Sequence, residues 1–147
     1  KSKEPINAMT VRTSFIGEQP GKVLGLLSWI LSHTNSEMQG YVNCVWNGVT
    51  CLQLCKTIDQ AIRECRLWLG VRHLYSPTPT NKYQLCCDVN AIYDLGNIVH
   101  PVEASNIEGT LIPPGTVLDR TLSTVYEPII TPELYQQIVE QREFKLI

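Results

Sequence analysis

Apolar residues recur at two spacings along this chain, and the switch between them predicts most of its elements. From Thr57 to Gly70 (TIDQAIRECRLWLG), Ile58, Ala61, Ile62, Cys65, Trp68 and Leu69 form one helical stripe, with Asp59, Gln60, Arg63, Glu64 and Arg66 opposite. Thr57 and Gln60 have the spacing of a capping box, and Gly70 is placed as a left-handed stop. Lys22–Ser32 gives a second amphipathic helix with the stripe Val23, Leu26, Leu27, Ile30 and Leu31, and Trp29 on its flank. Thr131-Pro132-Glu133 opens a third, with a Thr cap, Pro at the first helical position and an acid in the first turn. That helix is expected to run to about Glu143 and to bury Leu134, Ile138 and Val139.

Period-two alternation marks the strands. Ala8–Ile16 places Met9, Val11, Thr13 and Phe15 on one face. In Tyr41–Leu54, the runs YVNCVW and VTCLQL flank Asn47-Gly48, the pair that best tolerates a type I′ hairpin turn. That register sets Cys44 opposite Cys51, a pair of small core thiols or, under oxidising conditions, a cross-strand disulfide. Lys82–Tyr93 alternates most regularly, with Tyr83, Leu85, Cys87, Val89, Ala91 and Tyr93 on one face. Asn97–Val102, Ile107–Ile112 and Thr116–Tyr126 are further strands, punctuated by Pro101 and Pro113-Pro114-Gly115. Residues 1–6 read as a tail, and no repeat or boundary divides 1–147, so one domain is expected. Half-polar strands, a tight hairpin and irregularly spaced helices predict an α+β fold, a small antiparallel sheet covered by two to three helices.

Charge narrows the choice of partner. The net charge of −2 and pI near 5.9 do not suggest a phosphate-neutralising surface, so direct nucleic-acid binding is not expected. Lys1, Lys3, Arg12 and Lys22 read as a solvated rim. No signal peptide is visible, the longest apolar run (Val23–Leu31) is too short to span a bilayer, and a start at Lys1 suggests a trimmed or processed chain. Of the six cysteines (Cys44, Cys51, Cys55, Cys65, Cys86, Cys87) most lie in hydrophobic patterns, and Asn-x-Ser/Thr acceptors are absent. Buried free thiols in a reducing compartment follow, so the chain is not expected to be secreted.

Few residues combine into recognisable chemistry. GEQPGK lacks the phosphate-loop pattern, and neither a CxxC pair nor HExxH occurs. Cys51, Cys55, Cys65 and His73 could in principle assemble a zinc site, Cys86 with His100 or His73 a nucleophile and base, and Asp88 with Asp94 a carboxylate pair. In each case ordinary burial or turn capping is the simpler reading. No catalytic residue, metal or cofactor is therefore expected. What remains is surface: the proline loop Ser76, Pro77, Thr78, Pro79, Thr80, the segment Ile112–Gly115, and Trp29 as an interface anchor.

Met9-Thr-Val-Arg12, followed by the Val23–His33 helix and Gly40-Tyr41, resembles the start of rhabdovirus-type viral matrix proteins in order and wording. The resemblance covers about a third of the chain. It implies a small antiparallel sheet with helices and an extended loop used in self-association, for which Ser76–Thr80 is the counterpart. It also implies a non-enzymatic viral structural protein in the host cytoplasm or at the inner face of the virion membrane. Such a protein forms homo-oligomers and bridges nucleocapsid to an anionic membrane; a soluble accessory module binding a host protein is the alternative. The family's basic arm and Pro-Pro-x-Tyr motif are not matched: only Lys1, Lys3 and the proline segments Ser76–Thr80 and Pro113–Pro114 stand near them.

Overall fold

The computed structural model describes residues 8–19 and 21–144; the expected tail, 1–6, lies outside them. In chain order these residues form β1 (Met9–Thr13), β2 (Phe15–Ile16), α1 (Leu26–Leu31), β3 (Glu37–Tyr41), β4 (Cys44–Trp46) and β5 (Val49–Thr50). Next come α2 (Cys51–Arg63), β6 (Gly70–Leu74), β7 (Thr80–Asn81), α3 (Lys82–Ile92) and β8 (Ile98–Val102). The strands β9 (Asn106–Ile107), β10 (Thr110–Leu111) and β11 (Leu118–Arg120), then α4 (Leu134–Glu143), complete the order.

The expected antiparallel sheet gives way to parallel pairing. Strands β1 and β6, β2 and β5, β3 and β8, and β4 and β11 all run parallel; among the described residues only β4–β7 and the short β9–β10 hairpin are antiparallel. Parallel partners need long crossover connections, so no local turn announces them. These strands are also short, two to five residues, too brief to display the continuous apolar run that marks a doubly covered parallel strand.

Three local expectations change with the pairing. The regular alternation of 82–93 belongs to a helix, α3. Leu85 and Val89 satisfy both periods, but Cys86 and Ile92 are also buried, which only helical spacing allows. The start signal is Asn81, whose Oδ1 accepts from the Gln84 N–H at 2.7 Å. Helix α2 begins at Cys51, six residues before the expected Thr57 cap, because Thr50 accepts from the Gln53 N–H at 3.2 Å. Its buried face is Gln53, Thr57 and Ala61, while Ile62, Cys65 and Leu69 are exposed. The left-handed residue closing it is Cys65 (φ 52°), five residues before Gly70. Helix α1 spans only Leu26–Leu31, with Leu27 and Ile30 buried and Val23 and Leu24 exposed.

Asn47-Gly48 makes no hairpin, since β4 and β5 pair with other strands. Cys44 and Cys51 accordingly lose the register that would have opposed them. Asn47 is buried and acts as a clamp: its Nδ2 donates to Leu122 O at 2.8 Å, and its Oδ1 accepts from the Leu122 N–H at 2.7 Å.

The core centres on α3. Leu85, Cys86, Val89 and Ile92 pack with Leu27 and Ile30 of α1, Met38 of β3, Ile16 of β2, and Leu134 and Ile138 of α4. Beside this apolar cluster lies a buried polar one. Gln137 of α4, 1% exposed, accepts from the Thr50 N–H at 3.0 Å and donates to Ser76 Oγ at 3.0 Å and Pro132 O at 2.8 Å. Ser76 in turn donates its hydroxyl to Gly48 O at 2.7 Å and its N–H to Asn47 O at 2.6 Å. Thr131, the expected cap of α4, donates to Tyr75 O at 3.0 Å, and Glu133 occupies the cap position.

Gln137→Met keeps the side chain's bulk and removes these bonds, leaving the buried Thr50 N–H without its partner. We expect a loss of about 2–3 kcal/mol and a fall in Tm of about 5–10 °C. Thermal melts by circular dichroism check this, and a variant melting like the wild type would show that the cluster is dispensable.

Candidate functional site

Four of the parallel strands, β1, β2, β4 and β11, deliver their carboxyl ends to one place. Where β1 ends, Ser14 follows; where β2 ends, Gly17–Gln19 follow; β4 ends at Trp46 and β11 at Arg120. All of these residues line one groove of about 980 Å³, joined by Leu26, Cys51, Lys82 and Leu85. Ligands of open α/β sheets bind outside the carboxyl ends of the strands, because the loops there are free to vary while the sheet fixes their origin.

Strand register sets the order of side chains along the groove wall. Arg120 of β11 pairs with Trp46 of β4, and Trp46 pairs on its other side with Thr80 of β7. Lys82, two residues beyond Thr80, opens α3 and also lines the groove. Arg120 and Trp46 are thus neighbours across β11 and β4, while Lys82 lines this groove with its ammonium 5.9 Å from the centroid of the Tyr41 ring in the adjoining cleft. Neither cation is in an ion pair among the described residues, where the bridges are Lys56–Glu140, Arg63–Asp59, Arg66–Glu64 and His100–Glu37. The Asp119 carboxyl, beside Arg120, is held below the usual range by the Thr121 hydroxyl and the Thr121 N–H, the latter at 2.8 Å. Glu18, the acid in the groove wall, accepts from the Tyr93 hydroxyl at 3.0 Å. Burial, then Glu18, pushes the Tyr93 phenol well up, so this donor stays protonated. The groove therefore offers two cations, an aromatic face, 54%-exposed Phe15 and apolar floor residues, a set suited to an anionic ligand with a ring.

The residues singled out in the sequence lie elsewhere. Ser76 is fully buried in the polar cluster, Pro77, Thr78 and Pro79 are exposed, and Thr78 donates to Glu133 at 3.0 Å. Thr80 is half-buried in β7. Trp29 borders a second cleft of about 440 Å³, with its ring 4.7 Å from that of His33; Tyr41 and Lys82 also line it. Cys51, Cys55, Cys65 and His73 do not converge: no cluster of three or more metal-ligating groups exists among the described residues. Cys86 is buried and its thiol is pushed up to about 11, chiefly by burial, which makes it a poor nucleophile at neutral pH. His100 pairs with Glu37, and His73 with the Ser123 carbonyl. Asp88 accepts from Gln84 on its own helix, and Asp94 takes a left-handed turn conformation. Trp46, Lys82 and Arg120 went unnoticed because sheet register, not sequence proximity, groups them.

No protein-family model matches the chain, and no curated protein matches it in sequence. Its structure is similar to dTDP-4-dehydrorhamnose reductases. That of Clostridium acetobutylicum matches at 15% identity and a TM-score of 0.66, over 90% of this chain and 47% of that one. The Yersinia enterocolitica reductase matches at 15% identity and 0.68, over 89% and 47%. The Bacillus anthracis reductase, solved in complex with NADP, matches at 11% identity and 0.68, over 90% and 47%. At these identities the likeness establishes the fold, a Rossmann-like reductase fold, and the chain spans about half the length of the structures it matches.

This likeness corrects the matrix-protein reading. The element order that resembled a rhabdovirus-type matrix protein belongs to a parallel α/β fold, and the similar structures are those of reductases. The expectations of a non-enzymatic virion component, of self-assembly, and of bridging nucleocapsid to an anionic membrane fall with it, as does that of a viral accessory module. A strand, a helix and a glycine in the right order are common to many folds, and strand direction, which separates these two, is invisible in four residues. Among the described residues no helix is long and apolar enough to cross a membrane.

Burial predicts an order of thiol reactivity. In the native protein at pH 8, exposed Cys55 and Cys65 should be alkylated within minutes, whereas buried Cys44 and Cys86 react only on unfolding. Peptide mass mapping after timed iodoacetamide labelling reads this directly, and early modification of Cys86 would contradict its placement.

Proposed function

We propose that this chain holds a nucleoside-diphosphate sugar in the groove at the strand carboxyl ends and works as the substrate-holding part of a reductase-type enzyme. One observation carries the reading: Arg120 and Trp46 are paired at the carboxyl ends of the parallel strands β11 and β4, and Lys82 lines the same groove. A diphosphate needs a planar bidentate donor and a second cation, and a base or sugar ring needs a flat apolar face. The groove supplies all three, and its volume of about 980 Å³ accommodates such a ligand. The shared fold supports the same class, since the matched reductases are named for a dTDP-linked sugar.

One of those reductases was solved with NADP. The starts of α2 and α3 do not fit a dinucleotide, and α1, whose Gly25 cap makes no side-chain bond, is a helix of six residues. A pyrophosphate cradle requires free backbone N–H groups at a glycine-rich helix start. At the start of α2, Gln137 takes the Thr50 N–H, Gln141 the Leu52 N–H at 3.0 Å, and Thr50 the Gln53 N–H. Asn81 takes the Gln84 N–H at the start of α3. No G-x-G-x-x-G occurs in the sequence. The groove's contribution is thus to bind and orient the sugar nucleotide.

Calorimetric titration with dTDP tests this. The wild type should bind one equivalent, more weakly as salt rises. Arg120→Ala and Lys82→Ala should each weaken binding about tenfold, or ~1.4 kcal/mol. Equal affinity in the double variant and the wild type would reject the groove as the nucleotide site.

A further inference from the structure

Trp46 is held in place by Ser14, at the groove's edge, and by Gly48 behind it. Its Nε1 donates to Ser14 Oγ at 2.8 Å, and the same Ser14 accepts the Val49 N–H at 3.0 Å through its carbonyl. Gly48, between Trp46 and Val49, is buried against the indole. A Cβ there would lie 2.0 Å from Trp46 Cζ2, 2.3 Å from Cε2 and 2.2 Å from Ser14 O. Two of the three obstacles belong to a rigid ring and the third to a hydrogen-bonded backbone, so nothing nearby can yield cheaply. Gly48 does not adopt a positive φ, and its requirement is for space rather than for backbone freedom. We infer that Gly48 and Ser14 are the positioning residues of the groove: together they seat the Trp46 indole as its ring-binding wall, and so make the site select ring-bearing diphosphates over bare ones.

The inference deepens the nucleotide-sugar reading and rests on it for the ligand. The chemistry divides the groove into two independent parts. Arg120 and Lys82 respond to phosphate charge, which inorganic pyrophosphate also carries. Trp46 responds only to a ring, and its stacking contribution depends on the indole's pose. Disturbing Gly48 or Ser14 should therefore lower affinity for dTDP and leave pyrophosphate binding alone, a pattern that general destabilisation does not produce.

Two measurements test it separately from the reading beneath it. In a Trp29→Phe/Trp68→Phe background, where Trp46 is the remaining tryptophan, acrylamide quenching reports its accessibility without any ligand. Gly48→Ala and Ser14→Ala should each change the quenching constant by about twofold or more, while Ser14→Thr, which keeps the hydroxyl, should stay near the background value. Calorimetry then compares dTDP with inorganic pyrophosphate. We expect the wild type to prefer dTDP by about tenfold or more and both variants to lose most of that preference with pyrophosphate affinity unchanged. If Gly48→Ala does not fold, Ser14→Ala decides. Unchanged quenching in the variants overturns the positioning role whether or not dTDP binds. Altered quenching with the preference intact overturns the selectivity role. A wild type that binds neither dTDP nor pyrophosphate removes the nucleotide reading and the selectivity with it, leaving the quenching result to judge the seating of Trp46.

Discussion

The amide of Gln137 holds together parts of the chain that no sheet connects. It lies where α4, the start of α2 and the exit of β6 meet, and all three present backbone or hydroxyl groups that cannot reach water. A buried polar cluster of this kind is stabilising only when every member is satisfied, because an unpaired donor in a low-dielectric interior costs more than a formed bond returns. Satisfaction fixes geometry, too. The amide's donor and acceptor ends admit one arrangement of Thr50, Ser76 and Pro132, and through Ser76 and Asn47 that arrangement extends to Leu122 at the groove.

The groove is thus built by two different forces. Burial of the α3 apolar face sets where the helices lie relative to the strands. Directional bonds by Asn47, Ser76 and Gln137 then set how the loops after the strands are turned. Neither requires the cations of the site. Arg120 and Lys82 are exposed or half-exposed at the edge, without an ion pair among the described residues.

Helix α4 was legible from Leu134 and Ile138, though it starts after the expected Thr131 cap, and β1 from the alternation of Met9, Val11 and Thr13, because local periodicity and local structure agree there. Helix α3 was not, since Leu85 and Val89 fit either period and Asn81 was the deciding residue. The start of α2 hid behind Asn47-Gly48, whose turn chemistry is real but was overridden by a tertiary demand, the close approach of Trp46. The candidate site was the least legible part. Ser14, Trp46, Lys82 and Arg120 come from four segments, and their proximity depends on long-range pairing, parallel between β11 and β4 and antiparallel between β4 and β7, which leaves no local trace.

Parallel pairing also shapes how the chain must reach this structure. Thr13 and Leu74, partners across β1 and β6, are 61 residues apart, and Asn47 and Leu122 are 75 apart. The sole hairpin among the described residues is the minimal one at Asn106–Leu111, far too small to nucleate a sheet. Loop-closure entropy must be spent before most strand contacts return anything, so helices are the elements that can form early. Until the distant partners meet, the edges of β1, β3 and β4 stand open to pairing with other chains. The same topology that gathers the candidate groove from remote segments therefore leaves the chain slow to fold and most vulnerable to aggregation while it does.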